Sequence, residues 1–576
     1  HGLHKVAAGT PALCRRWPIP HPPADPPQQR PPPEPPPTAA LSAEQMAAPP
    51  TVDEIDSTVR SLRNAAAPGA DGITASMLKA SPAMVGCLHA LICLVWQTGK
   101  APMDWKRALL VALYKGKGDA RAFDSYRGIS LLSIPGKVYA ALLLRRVSQH
   151  LDAQLLEAQC GFRPKRGLTD AAFTLRQLTA RSWEFGTPLH LAFIDLRKAF
   201  DSVPRHALWR VLRAYAVPPK LVDLLTDLHT GTQAALRLGA LKGEPFSISA
   251  GVKQGCVIAP LLFNVYIDFV VRQALERMST CGVSVLYRFS GSLAARERDP
   301  GCATFDTTIP LLMYADDMAL TCPSSKELVQ FLQCMDDVCA EAGLCINAGK
   351  TEVMSVDRFQ RDPLPAPIVL RGGAVKLVSK FRYLGAIVTS DCAFDAEISA
   401  RVGKAAAAFH ALQHVWSAPT DKFGVGLKAV VYKTFVRSIL LFGSEWWSLP
   451  PGLVQRLETF HHDCLRRILG VCRSDRHSRE YLYERCSEHP IPALLANHRL
   501  RQLGHIVRMT HTRLPKLTLF NGPPAGAARP VGRPRLRWID LVSRDCATVR
   551  ADPSRVADCC SDRAAWRKRI SSLLPR

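Results

Sequence analysis

The chain has 576 residues, enough to bury more than one core, and its formal net charge of +25 favours a polyanionic partner. Its 18 cysteines follow no regular spacing, which argues against a disulfide scaffold and favours a reducing, intracellular compartment. No run of about eighteen uncharged apolar residues occurs, so no membrane span is predicted.

The N-terminal segment is rich in proline. Residues 1–50 hold 15 of the 44 prolines, including the run from Pro31 to Pro37. Such a composition buries too little apolar surface to order itself, so we predict a disordered or polyproline II segment over residues 1–50. We interpret this segment as a spacer, with a ligand for a proline-recognition domain as the alternative.

A globular pattern begins after residue 50. Helical periodicity is present around Val52 to Leu62 and again from Met84 to Gln97, and the Pro and Gly content of Ala67 to Ile73 predicts a loop between them. Three cations then lie close together in sequence and are suited to clamp a triphosphate, although solvated surface charge is the ordinary alternative. These cations are Lys115, Lys117 and Arg127.

Asp195 lies near the end of an almost continuous apolar run of strand length, Leu189 to Leu196. A carboxylate at that position is predicted to lie at the mouth of a core strand, where two-metal sites are built. A helix cap or a satisfied polar group is the alternative for a single aspartate of this kind.

A pair of adjacent carboxylates lies within the turn Tyr314 to Asp317, which has short apolar runs on both sides. This pattern predicts a buried β-hairpin with Asp316 and Asp317 at its tip. Adjacent buried carboxylates repel each other and resist desolvation, so they need a cation, and magnesium suits that role. An acidic surface turn is the alternative.

Seven blocks of the sequence then occur in a fixed order and resemble the motifs of reverse transcriptases. Five of them resemble motifs A to E, in particular those of LINE-type, non-LTR retrotransposons and their RTE-like endonuclease/reverse-transcriptase group. These five are FIDLRKAFDSV (Phe193 to Val203), GVKQGCVIAPLLFNVYID (Gly251 to Asp268), YADDMAL (Tyr314 to Leu320), GLCINAGKTEVM (Gly343 to Met354) and YLG (Tyr383 to Gly385). Two upstream blocks, Tyr126 to Val147 and Gln159 to Leu178, resemble the finger segments of that group and disfavour a group II intron maturase or a telomerase relative.

The resemblance implies an α+β fold, the right-hand polymerase with fingers, palm and thumb. We expect the fingers and an N-terminal extension over residues 51–189, the palm over 190–392, a helical thumb over 393–470 and a basic, helical C-terminal region over 471–576. Three long helices are predicted beyond the palm, at Ala396 to Trp416, Val425 to Leu441 and Leu453 to Leu469. The polar stretch Tyr287 to Thr308 is predicted to be an inserted loop. Fifty proline-rich residues are too few for the N-terminal endonuclease common in this group, so we expect the chain to lack it.

The resemblance also implies chemistry with two magnesium ions, for which manganese can substitute. Asp195 and Asp316 are expected to bridge the ions, with Asp317 assisting and the backbone carbonyl of Leu196 completing one coordination shell. Lys350 matches a lysine that can protonate departing pyrophosphate, and an ordinary surface lysine is the alternative.

Further residues are expected to bind the nucleotide. Phe200, five residues after Asp195, matches the family's sugar gate, in which an aromatic ring would clash with a 2′-hydroxyl; plain core packing is the alternative. Gln254 and Gly255 match the loop that contacts nucleotide or template, although an isolated Gln-Gly is usually a turn. Lys115 and Arg127 are expected to contact the triphosphate.

The last 80 residues, Asn497 to Arg576, carry twelve more basic than acidic side chains. Within them, a basic run ending in an aromatic is suited to neutralise phosphates and to stack on a base, with an ordinary solvated face as the alternative. Its predicted nucleic-acid contacts are Arg533, Arg535, Arg537 and Trp538. A zinc site is a further hypothesis with poor ligand spacing, built on Cys464, Cys472, Cys486 and His489.

Together these features predict an RNA-directed DNA polymerase of a non-LTR retrotransposon, which adds deoxynucleotides to a primer 3′-hydroxyl. Its expected partners are an RNA template, a DNA primer or target, and deoxynucleoside triphosphates, with no membrane. It is expected to act in the nucleus. The alternative is a catalytically silent, truncated retrotransposon-derived protein that binds nucleic acid.

Overall fold

The computed structural model describes residues 41–116, 118–122, 125–239, 241–278, 281–293, 302–419, 423–524, 527–532 and 535–574. None of the helices in these ranges is long and apolar enough to cross a membrane. The elements of the N-terminal part are α1 (Ala43–Ala47), α2 (Val52–Ser61), α3 (Ala75–Lys79), α4 (Pro82–Thr98), α5 (Met103–Lys106), β1 (Arg107–Tyr114), β2 (Tyr126–Leu132), α6 (Ile134–Asp152) and α7 (Leu168–Phe185).

Part of the segment predicted to be irregular, residues 1–50, is helical. Residues 1–40 lie outside the described residues, whereas Ser42 and Gln45 form a capping box that begins α1. Met46 is buried, and the indole nitrogen of Trp96 donates a hydrogen bond to the Ala47 carbonyl at 2.9 Å. The buried side chain of Met46 and the capping box therefore order residues 42–47, which the proline content had assigned to the irregular spacer.

The middle of the chain alternates strands and helices, as the sequence pattern predicted. Its elements are β3 (Leu189–Ile194), α8 (Ala199–Ser202), α9 (Arg205–Ala214), α10 (Pro219–His229), β4 (Gln233–Leu238), β5 (Leu241–Lys242), β6 (Phe246–Ser247), α11 (Ala259–Met278), β7 (Val283–Phe289), β8 (Ala303–Ile309), β9 (Leu311–Tyr314), β10 (Asp317–Cys322), α12 (Ser325–Glu341), β11 (Glu352–Val356), β12 (Ile368–Leu370), β13 (Gly373–Leu377), β14 (Lys380–Tyr383) and β15 (Ala386–Thr389).

A six-stranded sheet with the order β12-β13-β11-β3-β10-β9 forms the centre of the fold. All six residues of β3 are buried, because α12 covers one face of the sheet and α7 covers the other. Ala192 and Ile194 belong to the hydrophobic core on the α12 side, and Leu191 and Phe193 to the core on the α7 side. Burial on both faces explains why this strand reads as a continuous apolar run.

A second sheet lies before the central one in sequence, with the order β2-β1-β4-β5 and with β6 paired to β4. β1 pairs antiparallel with β2 and parallel with β4. Two separate hairpins complete the strands, β14 with β15 and β7 with β8.

The stretch Tyr287 to Thr308, predicted to be an inserted loop, is largely part of the β7–β8 hairpin. Residues 294–301 lie outside the described residues, but on both sides of them the two strands pair from Val283 with Ile309 to Phe289 with Ala303. The hairpin contacts the C-terminal part of the chain, where the Gly522 amide donates to the Leu286 carbonyl at 2.6 Å. Alternation of polar and apolar residues along β8, rather than loop composition, sets its structure.

The C-terminal part is helical. Its helices are α13 (Asp395–Ala411), α14 (Gln413–Trp416), α15 (Val425–Tyr432), α16 (Ser438–Leu440), α17 (Pro451–Leu469), α18 (Arg479–Cys486), α19 (Ile491–Val507), α20 (Leu514–Leu519), α21 (Trp538–Thr548), α22 (Val556–Ser561) and α23 (Arg563–Ser571). The helix predicted over Ala396 to Trp416 is divided at Leu412, and the one over Val425 to Leu441 contains a π-helical turn, Lys433–Arg437. These helices pack into the same hydrophobic core as α7 and one face of the central sheet.

Candidate active site

Antiparallel pairing of β3 with β10 brings the predicted carboxylates to one edge of the central sheet. Met318 lies opposite Ile194, so the next position of this register is occupied by Asp317, which begins β10, and by Asp195, which follows β3. β9 and β10 are joined by the two-residue turn Ala315-Asp316, which is closed by the pair of Tyr314 with Asp317. The fold thus unites groups that lie 121 positions apart in the chain, as the sequence predicted.

The electrostatics at this edge confirm that the carboxylates affect one another. Burial raises the pKa of Asp316, the charge of Asp195 raises it further, and the cation of Arg127 opposes the rise. Desolvation raises the pKa of Asp317 to about 6, and the charges of Asp316 and Asp195 add to that rise. Such a cluster is unfavourable at neutral pH unless a cation shares it.

The carboxylate of Asp195 is also held from the opposite side. The Asn347 side-chain amide donates a hydrogen bond to Asp195 Oδ2 at 3.1 Å, and Lys350 Nζ lies 3.8 Å from the same oxygen. The backbone of Asp195 to Arg197 pairs with that of Cys345 to Asn347 through two hydrogen bonds of 2.8 and 2.9 Å. Neither of these bonds uses the Leu196 carbonyl, the backbone oxygen predicted to contact a metal ion.

The donor chemistry fits a hard divalent cation. Carboxylate and carbonyl oxygens are the ligands that magnesium prefers, and a cation would stabilise the charged forms of Asp316 and Asp317, which burial and the charge of Asp195 disfavour. Within the described residues, however, no three His, Cys, Asp or Glu side chains are yet gathered closely enough to hold a metal ion.

The predicted nucleotide-binding residues lie on several elements, and the charge of Arg127 acts on a carboxylate at this edge. The ring of Phe200 is half-buried and stacks on Phe263, with ring centroids 4.5 Å apart. Arg127 is exposed near the start of β2 and influences the pKa of Asp316. Lys115 follows β1 and its side chain is exposed, while Lys117 lies outside the described residues.

The loop that carries Gln254 and Gly255 docks on β2. The Ser130 amide donates to the Gln254 carbonyl at 3.1 Å, and a β-carbon added to Gly255 would lie 2.7 Å from the Ser130 carbonyl oxygen. Gly255 also has a φ of 109°, which favours glycine, so both its conformation and its surroundings exclude a side chain. Glycine here permits a close approach of the β2 backbone, whereas the contacts of Gln254 and Gly255 with nucleotide or template stay predictions.

Two residues beside the carboxylates were not singled out from the sequence. Asn347 contacts Asp195, and Gln159, which is completely buried, contacts the turn that carries Asp316. Both lie inside blocks that resemble reverse transcriptase motifs, and that position was the one feature of the sequence that could have pointed to them. No local sequence pattern predicts either contact, because each joins residues more than 150 positions apart.

The basic C-terminal run does not have the predicted arrangement. Trp538 is only 2% exposed, its ring packs edge-on against Phe173, and its indole nitrogen donates to the Glu445 carbonyl at 2.8 Å. The prediction that Trp538 stacks on a base is therefore wrong, because α7 and the chain near Glu445 enclose the ring.

The arginines of that run also have protein partners. Arg537 forms a two-point ion pair with Asp540, with distances of 2.8 and 2.6 Å. Arg535 lies over the Trp183 ring and donates to the Asp391 carbonyl, and Arg533 lies outside the described residues. Arg537 is thus neutralised by its own helix, so its predicted phosphate contact has a competitor within the chain.

The zinc hypothesis gains no support from the described residues. Cys464 and Cys486 are buried in the hydrophobic core and Cys472 is exposed, and these residues and His489 are not gathered into a site that could hold a metal ion. Burial raises the pKa of both the Cys464 and Cys486 thiols to about 12, which opposes the thiolate form that zinc requires.

Comparison with known families agrees with this geometry. Residues 115–388 match the family described as reverse transcriptase (RNA-dependent DNA polymerase). The matched region contains β3, the Ala315-Asp316 turn, the Gln254 loop and Lys350. Residues 115–388 therefore resemble a reverse transcriptase domain.

Several similar proteins come from transposable elements of the fruit fly Drosophila melanogaster. The chain is 27% identical over 447 residues to the putative 115 kDa protein in type-1 retrotransposable element R1DM, covering 75% of this chain and 40% of that relative. It is 24% identical over 432 residues to the probable RNA-directed DNA polymerase from transposon BS, and 24% identical over 438 residues to the RNA-directed DNA polymerase from mobile element jockey. Both comparisons cover 73% of this chain and 44% of the relative, so the chain spans less than half the length of these proteins.

Proposed function

We propose that this chain, whose residues 115–388 match the reverse transcriptase family, is an RNA-directed DNA polymerase of the non-LTR retrotransposon type. The observation that carries the proposal is the meeting of Asp195 with the Asp316-Asp317 hairpin at the end of a buried strand. Burial, together with the charge of Asp195, raises the pKa of the two hairpin carboxylates, as expected of groups that share a cation. The names of the relatives support the same activity.

Several residues of the chain have separate roles in nucleotide addition. Asp195, Asp316, Asp317 and the Leu196 carbonyl would hold two magnesium ions. When bound, these ions activate the primer hydroxyl and neutralise charge that develops on the leaving pyrophosphate. Lys350, which lies 3.8 Å from Asp195, can donate a proton to the leaving group.

Binding of the incoming nucleotide is assigned to residues around the same edge. The guanidinium of Arg127 is a donor for the triphosphate oxygens on the side of the second sheet, and Lys115 adds charge there. Phe200 is held by its stack on Phe263 and can exclude a ribose 2′-hydroxyl. Gln254 and Gly255, which pack against Ser130, would place backbone and side-chain amide groups next to the incoming nucleotide.

The right-hand layout is part of the proposal. Strands β1 and β2 with α2 to α7 correspond to the fingers over residues 51–189, and the six-stranded sheet with α11 and α12 to the palm over 190–392. Helices α13 to α17 would form the thumb over 393–470. We assign the chain to the RTE-like group on its finger blocks, and we propose an RNA template, a DNA primer and a nuclear site of action.

A primer-extension experiment tests the proposal. With an RNA template, a DNA primer, deoxynucleotides and Mg²⁺, the purified chain should extend the primer, and extension should stop when EDTA removes the metal. The Asp316→Asn substitution keeps the volume and removes the charge. It should lower the rate on the order of 1000-fold, which corresponds to about 4 kcal/mol of transition-state stabilisation.

The matched control is Asp306→Asn, in which an aspartate on the β7–β8 hairpin is changed away from the site. Its rate should stay within about twofold of the parent, because exposed substitutions away from special features have small effects. Undiminished synthesis by Asp316→Asn would contradict the assignment of the site. Nucleic-acid binding by the folded parent without any extension would instead favour a catalytically silent protein.

A further inference from the structure

The turn that carries Asp316 is held by a segment from a distant part of the sequence. The side chain of Gln159 is completely buried beside it. Gln159 Oε1 accepts a hydrogen bond from the Ala315 amide at 2.8 Å and another from the Gly161 amide at 2.9 Å. Its Nε2 also donates to the Ala315 carbonyl at 3.4 Å. One side chain therefore binds both backbone groups of the residue that precedes Asp316.

Backbone contacts extend this junction along β9. The Cys160 amide donates to the Met313 carbonyl, and the Met313 amide donates to the Ala158 carbonyl, both at 2.9 Å. A β-carbon added to Gly161 would lie 2.4 Å from the Ala315 nitrogen, so only glycine permits this approach. The segment thus lies directly against the hairpin tip and leaves no room for the turn to move toward it.

The turn needs such support because of its own conformation. Ala315 has a φ of 58°, in the left-handed region that non-glycine residues avoid. A residue keeps that conformation when its surroundings determine it, and here the determining contacts come from Gln159. Without them the Ala315-Asp316 peptide is free to rotate toward a less strained geometry, which would redirect the Asp316 carboxylate.

The segment is fixed in turn by a polar face of α11. Asn264 is completely buried and its Nδ2 donates to the Gly161 carbonyl at 2.7 Å. One helical turn later, the buried Asp268 accepts from the Leu156 amide at 2.7 Å and from Arg272 Nε at 2.8 Å. The three side chains are spaced four residues apart, so they lie on one face of the helix. The helix that follows the Gln254 loop therefore anchors the support of the metal-binding turn.

We propose that Gln159 is a positioning residue that sets the orientation of the Asp316 carboxylate, with Asn264 holding its segment in place. This inference rests on the proposed polymerase function, since it assigns a role within that same site. Gln159 touches neither nucleotide nor metal; it acts through the backbone of Ala315. Its removal should alter the chemical step more than the binding of template and primer.

The test replaces Gln159 with Met, which has similar length and no hydrogen-bonding amide. The matched control is Gln502→Met, which makes the same change at a buried glutamine of α19 far away in sequence. The first readout, amide hydrogen exchange with metal absent, reports on the turn itself. Gln159→Met should accelerate exchange in a peptide covering residues 311–318 at least about tenfold and leave the C-terminal helices unchanged. The control should not accelerate exchange in that peptide.

The second readout is the kinetics of primer extension. Gln159→Met should lower kcat by about 10- to 100-fold, with KM for template-primer within about twofold of the parent, because a small misplacement of a reacting group is costly. Unchanged exchange at residues 311–318, or equal losses in both glutamine variants, would overturn the inference.

A second variant keeps the inference testable if Gln159→Met does not fold. Gly161→Ala leaves the Gln159 side chain in place and forces a methyl group against the Ala315 nitrogen, so it should also release the turn and lower kcat. Normal exchange and kcat in that variant would count against the role of the junction. If the parent chain extends no primer, the proposed function fails, while the exchange comparison still decides whether Gln159 holds the turn.

Discussion

Replacement of Trp538 distinguishes a structural role for the basic C-terminal run from a role in base stacking. The indole is 2% exposed, pairs edge-on with Phe173 at a centroid distance of 5.0 Å, and donates a 2.8 Å hydrogen bond to the Glu445 carbonyl. Truncation of a buried tryptophan to alanine costs about 3–5 kcal/mol. Within that figure the aromatic pair contributes roughly 0.5–1.5 kcal/mol and the hydrogen bond a similar amount. We therefore expect Trp538→Ala to destabilise the fold strongly.

The Trp538→Phe variant separates the contributions. Phenylalanine keeps an aromatic ring near Phe173 but leaves the Glu445 carbonyl without its donor, so the loss should be about 1–3 kcal/mol. The free energy of unfolding would be measured by guanidinium denaturation followed by far-UV circular dichroism, which does not depend on tryptophan emission. Arg535→Ala serves as the exposed control and should change stability by less than about 1 kcal/mol.

The same proteins should be titrated with single-stranded RNA under conditions where they remain folded. If the indole is part of the core, Trp538→Phe should bind RNA with the affinity of the parent. An unchanged denaturation midpoint for Trp538→Ala, together with a loss of roughly 1–3 kcal/mol in RNA binding, would refute this reasoning and restore base stacking.

Two further predictions concern the active site. Phe200→Val should remove the ring that stacks on Phe263 and lower the ratio of kcat/KM for deoxynucleotides over ribonucleotides at least about tenfold; an equal ratio in variant and parent would mean that Phe200 only packs the core. For Asp317, the pKa of about 6 in the folded protein lies above its ordinary value of 3.8, so the protonated carboxyl contributes stability at low pH that is lost as pH rises through about 6. In EDTA, the denaturation midpoint of the parent should therefore fall more between pH 4 and pH 7 than that of Asp317→Asn, and identical profiles would contradict the raised pKa.

The sequence predicted the carboxylate cluster because its signals are local. The apolar run before Asp195 and the apolar residues on both sides of Tyr314 to Asp317 each specify a strand or hairpin within about ten residues. The order of the motif blocks then indicated that these strands meet, and the register of Met318 with Ile194 confirms it. Local patterns also located most of the helices, although not the division of the predicted helix at Leu412.

Only the tertiary structure decided which side chains are enclosed and what holds the site in place. Trp538 follows several arginines and looks exposed in sequence, yet α7 supplies Phe173 and a second segment supplies the carbonyl of Glu445, so the ring is buried. Gln159 looks like any polar residue until the fold brings it to Ala315, 156 positions away. Burial and hydrogen bonding depend on partners distant in the chain, and no periodicity or composition within one segment specifies such partners.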